Sequence, residues 1–332
     1  MLEYQIISFR PEHLASALQL FTANYETEQR KVPALPPASE ISAAIQPRLA
    51  DLAVKSAACV AVRDNAVYGY MTGITALKNL KGTDNGTYIP EWAHAAKGPD
   101  RIAIYARMYE HLAKQWVASG NYTQVVSIFA HDAELQNYWF RHAFGMEVVD
   151  AILSSKPSSM PEIPGLEIVK ADRPRDVAAL IQMRYEFRQY LASAPILLPI
   201  LKTQDVLSLL GNNAQCIFMA YYNGYPAGYM MAKRDACGVS AIAGGSSTLR
   251  INGTYVRSQF RKKGIATALL QKIIETGENQ GISRIGVDFE STNESACCFW
   301  QKYFTPVSHS CIRHVDDRRI RNGTQNVLSQ EE

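Results

Sequence analysis

The chain has 332 residues, which is longer than a domain with a single hydrophobic core usually is, and this length predicts about two domains. Its composition is 47% hydrophobic and 20% charged, as in a soluble globular protein, and a net charge of +3 is too mild to indicate a nucleic-acid partner. The N-terminus has no signal-like apolar core, and no apolar run reaches about 18 residues, so we expect a cytoplasmic protein without a membrane partner. The six cysteines show no C-x-x-C spacing, which argues against a metal site.

The first half is predicted to begin with a short strand, YQIISF, and an amphipathic helix that starts near Pro11. A hairpin follows in CVAVRDNAVYGYMTGI, with Asp64 and Asn65 at its turn. The strand-like stretch NGTY comes next at residues 85–88. A helix that ends near Gly120, the strand TQVVSIFA and a helix that carries Trp139 complete this half.

A Pro- and Ser-rich stretch, SSKPSSMPEIPG, has no periodicity and predicts a linker over residues 154–165. The second half then repeats the order of the first: the strand LEIVKA, a helix that starts near Pro174, and a hairpin turning at Asn223-Gly224. NGTY recurs at residues 252–255. A helix that ends near Gly281, the strand SRIGVDFE and a helix with Trp300 follow it.

The spacing between matching elements indicates a duplication. Gly69 and Gly228 lie 159 residues apart, Trp139 and Trp300 lie 161 apart, and the two NGTY copies lie 167 apart. A nearly constant spacing broken in loops is typical of a duplicated domain with an insertion. We therefore predict domains at 1–153 and 166–332, joined by the linker at 154–165, each an α/β unit with a mixed sheet. The NGTY spacing predicts that the first half gained about six residues between this strand and the next helix.

The second NGTY copy leads into a basic glycine turn, VRSQFRKKGIATALL. A strand is predicted to end at Val256, and a helix is predicted to begin near Ile265 with apolar residues at 265, 269, 270, 273 and 274 on one face. The first turn of a helix has unpaired N–H groups, and Gly264 lets the backbone approach an anion. With three cations before the glycine, the turn predicts a phosphate or pyrophosphate site; a solvated basic turn is the alternative.

The first half has no comparable turn. Its segment IPEWAHAAKGPDR carries Lys97 and Arg101, which Glu91 and Asp100 oppose. We expect that only the second copy kept a cofactor turn and that the first half does not bind the cofactor productively. The histidines of this half, at 94, 111, 131 and 142, lack a ligand spacing and are interpreted as surface or satisfied core residues.

The second half resembles the GNAT N-acyltransferase superfamily. Its motif A is matched by Arg261, Gly264 and Ala266 in R-x-x-G-x-A, after a "YV" strand and before an apolar helix. Asn293, Ala296 and the aromatic FWQKYFTPV follow about 30 residues later, as in the family. The resemblance implies two tandem GNAT-like domains, each with a mixed, mostly antiparallel sheet flanked by helices. The first of them would be degenerate.

The resemblance also implies roles for individual residues. The backbone of the splayed strand end would bind the pantetheine arm and the thioester carbonyl of acetyl-CoA, and the turn amides would bind its pyrophosphate. Asn293 would touch the pantetheine arm. The implied strand residues are Thr254, Tyr255, Val256 and Arg257, and the implied turn residues are Arg261, Lys262, Lys263, Gly264, Ile265 and Ala266.

Proton transfer is where the sequence departs from the family pattern. Trp300 stands where the family often has a tyrosine that acts as the general acid. Tyr303 lies one helical turn further on and is the candidate acid, with a core aromatic role as the alternative. Glu290 ends its strand and is the candidate base, and Asp288 would share its face; a water chain is an equal rival.

The sequence thus predicts an N-acetyltransferase that uses acetyl-CoA as cosubstrate and a primary amine of a small molecule or peptide as acceptor, by direct attack. One alternative is an acyl-CoA-binding sensor or pseudoenzyme without transfer activity. Another is an interaction protein without a cofactor. Neither the acceptor nor the oligomeric state can be predicted from the sequence.

Overall fold

The computed structural model describes residues 4–158, 162–171, 174–199, 215–234, 240–245 and 247–316. Residues 159–161 of the predicted linker therefore lie outside the described part. No helix within these ranges is long and apolar enough to cross a membrane. The chain forms two compact units: unit 1 is Met1–Glu147 with Ser308–Glu332, and unit 2 is Val148–Val307.

Unit 1 contains most elements of the first half. Its strands are β1 (Gln5–Ser8), β2 (Ala58–Arg63), β3 (Ala66–Thr72), β4 (Ile74–Leu77), β5 (Asn85–Ile89), β6 (His94–Ala96) and β7 (Asn121–Phe129). Its helices are α1 (Leu14–Lys31), α2 (Ala38–Lys55), α3 (Arg101–Ala118) and α4 (Ala133–Arg141). Strand β8 (Gly145–Leu153) begins in unit 1 and continues in unit 2.

Unit 2 continues with β9 (Leu166–Lys170), α5 (Pro174–Ala192), β10 (Gln215–Tyr222), β11 (Tyr225–Arg234) and β12 (Thr248–Val256). Helix α6 (Ile265–Asn279), β13 (Arg284–Glu290) and α7 (Glu294–Trp300) follow. Strand β14 (Phe304–His314) begins in unit 2 and ends in unit 1. The predicted hairpin turn is confirmed, because Asn223 and Gly224 have φ angles of 49° and 81°.

Six strands of unit 2 have the order β8-β13-β12-β11-β10-β9 and are antiparallel except for the parallel pair β12 and β13. Alternate residues of β10 and β11 face opposite sides, so the sheet is covered on both. Ala220 and Met230 pack in the cluster that contains α6, whereas Met219 and Tyr229 pack with Leu180 of α5. The predicted mixed, mostly antiparallel α/β fold is confirmed. All five predicted apolar positions of α6 are buried.

The parallel pair of unit 2 separates before either strand ends. Pairing runs from Thr248 with Arg284 to Ile251 with Val287. Strand β12 nevertheless continues to Val256 on its β11 side, and β13 continues to Glu290 on its β8 side. Among the described residues, the edge of β12 at positions 252–256 that faces β13 is therefore left without a strand partner. This opening positions the candidate site.

In unit 2, β12 pairs with both β11 and β13. In unit 1, two separate strands make the corresponding pairings. Strand β5 pairs in parallel with β7 as far as Ile89 and Val126, and the separate strand β6 pairs with β3. Because Gly69 pairs with Ala96 as Gly228 pairs with Val256, Ala96 is the counterpart of Val256. The two NGTY copies thus occupy different places in the fold, and their predicted equivalence is wrong.

The predicted insertion before the helix is wrong for the same reason. Residues 97–100 connect β6 to α3, whereas residues 257–264 connect β12 to α6. The counterpart of the basic glycine turn is therefore shorter in unit 1. The first residue of each connection makes the same kind of hydrogen bond. The Lys97 amide donates to the Tyr68 carbonyl at 2.9 Å, and the Arg257 amide donates to the Ala227 carbonyl at 2.9 Å.

The last strand of each sequence half pairs in the unit that the other half forms: β8 pairs in unit 2, and β14 pairs in unit 1. Strand β13 of unit 2 pairs with β8, where Val149 faces Phe289, and β7 of unit 1 pairs with β14, where Ser308 faces Phe129. The exchange satisfies backbone groups that would otherwise stand at a sheet edge. The predicted domains at 1–153 and 166–332 follow the order of the repeats, whereas the compact units divide within β8 and within β14.

His94 supports the interpretation of a satisfied core histidine. It is 4% exposed, its Nε2 lies 2.8 Å from the Ser127 carbonyl oxygen, and its Nδ1 lies 3.0 Å from the Tyr105 hydroxyl. Burial lowers the pKa of His94 to about 4, so the ring is neutral at pH 7. In the part of the chain that the structure describes, no group of three or more His, Cys, Asp or Glu side chains could hold a metal ion.

The strand exchange predicts that a change in the first half of the sequence disables unit 2. Ala151 of β8 is fully buried in the cluster that contains α6. The substitution Ala151→Asp should lower the free energy of unfolding of unit 2 by about 3 kcal/mol or more, since it buries an unpaired carboxylate. Binding of coenzyme A should be lost with it. Chemical denaturation and calorimetric titration of the full chain measure both effects.

The matched control is Val54→Asp, because Val54 of α2 is 79% exposed. It should leave unfolding and binding unchanged. If Ala151→Asp behaved like this control, β8 would not complete the sheet of unit 2.

Candidate active site

A cavity of about 620 Å³ lies at the open edge of β12, in the size range of small-molecule sites. It is lined by most of the predicted cofactor residues: Thr254, Tyr255, Val256, Arg261, Lys262, Gly264, Ile265, Ala266 and Asn293. The predicted residues Arg257 and Lys263 are not part of this described lining. The sequence therefore located the wall formed by β12, the turn and the start of α6.

The turn before α6 has the geometry of an anion cradle. Gly264 caps the helix with φ 81° and ψ −3°, and Lys262 also has a positive φ of 62°. The Ala268 amide donates to the Gly264 carbonyl at 3.0 Å. Among the described residues, the amides at positions 262–267 donate to no backbone carbonyl. These free amides and the positive end of the helix dipole favour an anion such as a phosphate.

Two of the three cations of the turn are held against aromatic rings. The Arg261 guanidinium lies 4.9 Å from the centre of the Tyr190 ring, and its Nε donates to the Val256 carbonyl at 3.0 Å. The Lys263 ammonium lies 4.7 Å from the centre of the Tyr222 ring. These contacts fix positive charge beside the cradle, where it would strengthen the binding of an anion.

Arg257 connects β12 to α5 instead of lining the cavity. Its Nε and Nη2 donate to the two carboxylate oxygens of Glu186 at 2.9 and 2.7 Å, and its Nη1 donates to the Pro226 carbonyl at 2.9 Å. The hydrogen bond from Arg257 lowers the pKa of Glu186. This two-bond ion pair positions the helix that forms the facing wall of the cavity.

Sequence reasoning missed the wall formed by α5. Phe187 and Tyr190 of this helix line the cavity. The Tyr190 hydroxyl donates to Asn293 Oδ1 at 2.8 Å, and that oxygen also accepts the Ala296 amide at 3.3 Å as the cap of α7. Asn293 is thus 8% exposed and fixed from both sides. Aromatic residues three apart on one helical face were the available signal, but nothing local shows which neighbour that face meets.

A second cavity of about 260 Å³ adjoins the first, and the two share Phe187, Thr254, Asn293, Ala296 and Trp300. Glu290 and Asp288 both line the second cavity, as their alternation in β13 predicts. Asp288 accepts two hydrogen bonds from Arg250, at 2.9 and 2.7 Å. The Thr254 hydroxyl oxygen is buried without a hydrogen-bond partner among the described residues. A ligand group at the junction of the cavities could pair with it.

Tyr303 lies outside both cavity linings. Its hydroxyl oxygen is 3.3 Å from Thr267 Oγ1, and its ring centre is 5.7 Å from that of Phe299. Helix α7 ends at Trp300, so the extrapolation by one helical turn does not hold for Tyr303. The placement does not support the predicted role as general acid and agrees with the alternative of a core aromatic. Trp300 instead lines both cavities.

In unit 1, acidic residues lie at the start of α4, which corresponds to the start of α7 in unit 2. Asp132 caps α4 through the Leu135 amide at 3.1 Å, as Asn293 caps α7. Arg101 at the start of α3 binds the carboxylates of Asp132 and Glu134, beside a cavity of about 420 Å³. Arg101 already pairs with both carboxylates, and that the first half does not bind the cofactor stays a prediction.

Comparison with known proteins gives a family match for the second half and similar folds for the chain. Residues 180–304 match the model of the acetyltransferase (GNAT) family. The chain is similar to a GCN5-related N-acetyltransferase from Sphaerobacter thermophilus, with 12% identity, a TM-score of 0.59, and coverage of 94% of this chain and 95% of that chain. It is also similar to a tandem GNAT protein from the clavulanic acid biosynthesis pathway, with 12% identity, a TM-score of 0.48, and coverage of 94% and 98%.

A shorter likeness involves an aminoglycoside acetyltransferase from an uncultured soil metagenomic sample. It covers 42% of this chain and 89% of that chain, with 17% identity and a TM-score of 0.34. The family match lies on the half that carries the cradle, and the shared fold extends over the duplicated units. Residues 180–304 therefore match the acetyltransferase (GNAT) family, and the chain as a whole shares the fold of the Sphaerobacter protein.

Proposed function

We propose that unit 2 transfers the acetyl group of acetyl-CoA to a primary amine by direct attack. The observation that carries this proposal is the junction of two cavities at Thr254. One cavity ends at the phosphate-type cradle of Gly264, and the other holds the carboxylate of Glu290. An acyl donor and an amine placed in these cavities would meet at the open edge of β12, so their reaction would gain from proximity.

The cofactor fits the residues of the larger cavity. The free amides at 262–267 would hold the pyrophosphate, while the open edge of β12 and the fixed Asn293 would hold the pantetheine arm. Acetyl-CoA supplies an activated acetyl group: an N–C bond forms, the C–S bond breaks, coenzyme A leaves as the thiol, and the amine loses one proton. The buried Thr254 hydroxyl lies where it could bond the thioester carbonyl or the amine.

Glu290 is the proposed base. It lines the second cavity at the end of β13, within the part of unit 2 where an amine would approach the thioester. A carboxylate there can take the amine proton directly or through one water. Because Tyr303 lies outside both cavity linings, we assign no acid to the leaving thiolate.

The second candidate function is binding of an acyl-CoA without transfer. It is favoured by Trp300, which occupies the cavity wall and has no group that could protonate a thiolate. Measured transfer of acetyl to any primary amine, above the rate without enzyme, would decide against it.

The cradle is tested by Gly264→Asp. The substitution adds a negative charge beside the free amides, and a residue with a side chain at φ 81° is strained. We expect the affinity for coenzyme A, measured by calorimetric titration, to fall by about 100-fold while the protein stays folded.

Gly281→Asp is the matched control. Gly281 also has a positive φ, 66°, but lies beyond the opposite end of α6 with open space around its added Cβ. Affinity should stay at the wild-type value there. Equal losses in both variants would mean that backbone strain, and not the cradle, causes the effect.

The base is tested by Glu290→Gln with the best acceptor of a primary-amine panel. We expect kcat to fall by about 100-fold at unchanged affinity for acetyl-CoA, because the amide cannot take a proton. Two comparisons sharpen the test: Glu275→Gln on the outer surface of α6, and Tyr303→Phe. Both should retain wild-type kcat. A large loss in Tyr303→Phe would restore Tyr303 as the acid, and an unchanged Glu290→Gln would leave the proton to water.

A further inference from the structure

We infer that unit 2 binds an oxyanion with the charge of a phosphate monoester between two arginines of α5, Arg184 and Arg188, and Tyr229 of β11. None of these three residues is in the described lining of the two cavities of unit 2. The inference goes beyond the proposed function and does not rest on it, because the three residues belong neither to the cradle before α6 nor to the wall formed by β12.

The two arginines share one face of α5. They lie four residues apart in the helix, so their side chains are neighbours one turn apart, and both residues are half-buried. The face that they share is turned toward β11, since Arg184 Nη1 donates to Met231 Sδ at 3.4 Å. Like charges at this spacing repel each other and destabilise a helix, so the pair needs an anion.

The described residues provide no carboxylate for either guanidinium. Arg184 has the Met231 sulfur as its hydrogen-bond acceptor, which is a weak one, and Arg188 donates its Nε to the Arg184 carbonyl at 3.4 Å. Glu186 lies between the two arginines in the sequence, but Arg257 binds both of its carboxylate oxygens. Two half-buried positive charges therefore remain without an anion from the described part of the chain.

The hydroxyl of Tyr229 adds a neutral donor beside the two cations. Tyr229 is 1% exposed, and its hydroxyl has no hydrogen-bond partner among the described residues. Burial raises the pKa of this hydroxyl above its ordinary value, and the positive charges of Arg184 and Arg188 partly offset that effect because both guanidiniums lie near the oxygen. A buried O–H group without an acceptor is costly, and an oxyanion would accept its hydrogen bond together with those of the guanidiniums.

Gly253 of β12 leaves space beside these donors. It pairs with Met231, and it has no side chain on the face that carries Tyr229. A Cβ at this position would lie 3.1 Å from Met231 Cε and 3.6 Å from Tyr229 Cε2. Gly253 also lines the second cavity, so the anion site adjoins that cavity. The oxyanion can therefore come from two sources, a free ion or a group carried by an amine ligand.

The charge of the site favours a dianion. One phosphate monoester offsets two guanidiniums, whereas one carboxylate offsets a single guanidinium. Guanidinium groups also match the geometry of phosphate oxygens through paired N–H donors.

The test is calorimetric titration of the full chain with inorganic phosphate, at low ionic strength and with saturating coenzyme A to fill the cradle. Arg184→Gln and Arg188→Gln should each lower the affinity for phosphate by about tenfold, the scale of one lost hydrogen bond to a charged group. The matched control is Lys272→Gln, which also removes one positive charge but lies on α6, where Lys272 pairs with Glu275. It should keep the wild-type affinity. Acetate should bind to the wild type about tenfold more weakly than phosphate.

Tyr229→Phe gives a second result, because it removes a donor and no charge. The affinity for phosphate should fall by about threefold, while the midpoint of chemical denaturation should not fall, since the hydroxyl has no partner to lose. A role of the three residues in covering the sheet alone would lower stability without changing the affinity for phosphate. Equal phosphate affinity in the wild type and in both arginine variants would overturn the inference, and so would tighter binding of acetate than of phosphate.

O-phosphoethanolamine separates the two sources of the oxyanion. Binding tighter than that of inorganic phosphate, lost in Arg184→Gln and Arg188→Gln, would assign the phosphate group to an amine ligand; equal binding would assign the site to a free ion. The proposed function fails separately. If coenzyme A does not bind, that function is wrong, whereas the difference between the wild type and the arginine variants still tests the oxyanion site.

Discussion

The separation of β12 from β13 after Ile251 and Val287 is the constraint on which the site depends. A paired strand has no backbone groups to offer a ligand, whereas the free edge at 252–256 must find partners outside the sheet. The same edge leads straight into the turn that caps α6, so the polar edge and the anion cradle face one cavity. The ion pair of Arg257 with Glu186 then brings α5 against the opening. The proposed cofactor wall, acceptor wall and base all lie where these two strands separate.

Unit 1 divides the same layout between two strands. There β5 stays paired with β7 to Ile89, and the short strand β6 takes over the pairing with β3. The connection to α3 is too short for a cradle, and Asp132 occupies the capping position of Asn293 and binds Arg101. The two units thus differ at this place by a few residues in one connection and by one exchanged side chain. The overall order of strands and helices is preserved.

The features that the sequence predicted are local ones. The basic turn, the buried face of α6, the hairpin at Asn223 and the shared face of Asp288 and Glu290 each depend on neighbouring residues, and each is present. The features it missed depend on register or on distant partners. The NGTY motif occurs twice, but four residues do not determine which strand pairs with them. Tyr303 was placed by extending α7, which ends at Trp300. Helix α2, which contains Pro47 in its interior, and the contribution of Tyr190 had no decisive local signal.

The exchanged strands also set an order of assembly during synthesis. Strands β8 to β13 of unit 2 have been made once residue 290 has left the ribosome, and α7 and residues 304–307 of β14, which also belong to unit 2, follow shortly after. The sheet of unit 1 must wait for residues 308–314, because β7 pairs with β14. The half that is translated first is therefore completed last, and until then β7 has an open edge that could pair with another chain. Unit 2, although translated later, needs β14 only as far as Val307 and can therefore be completed first.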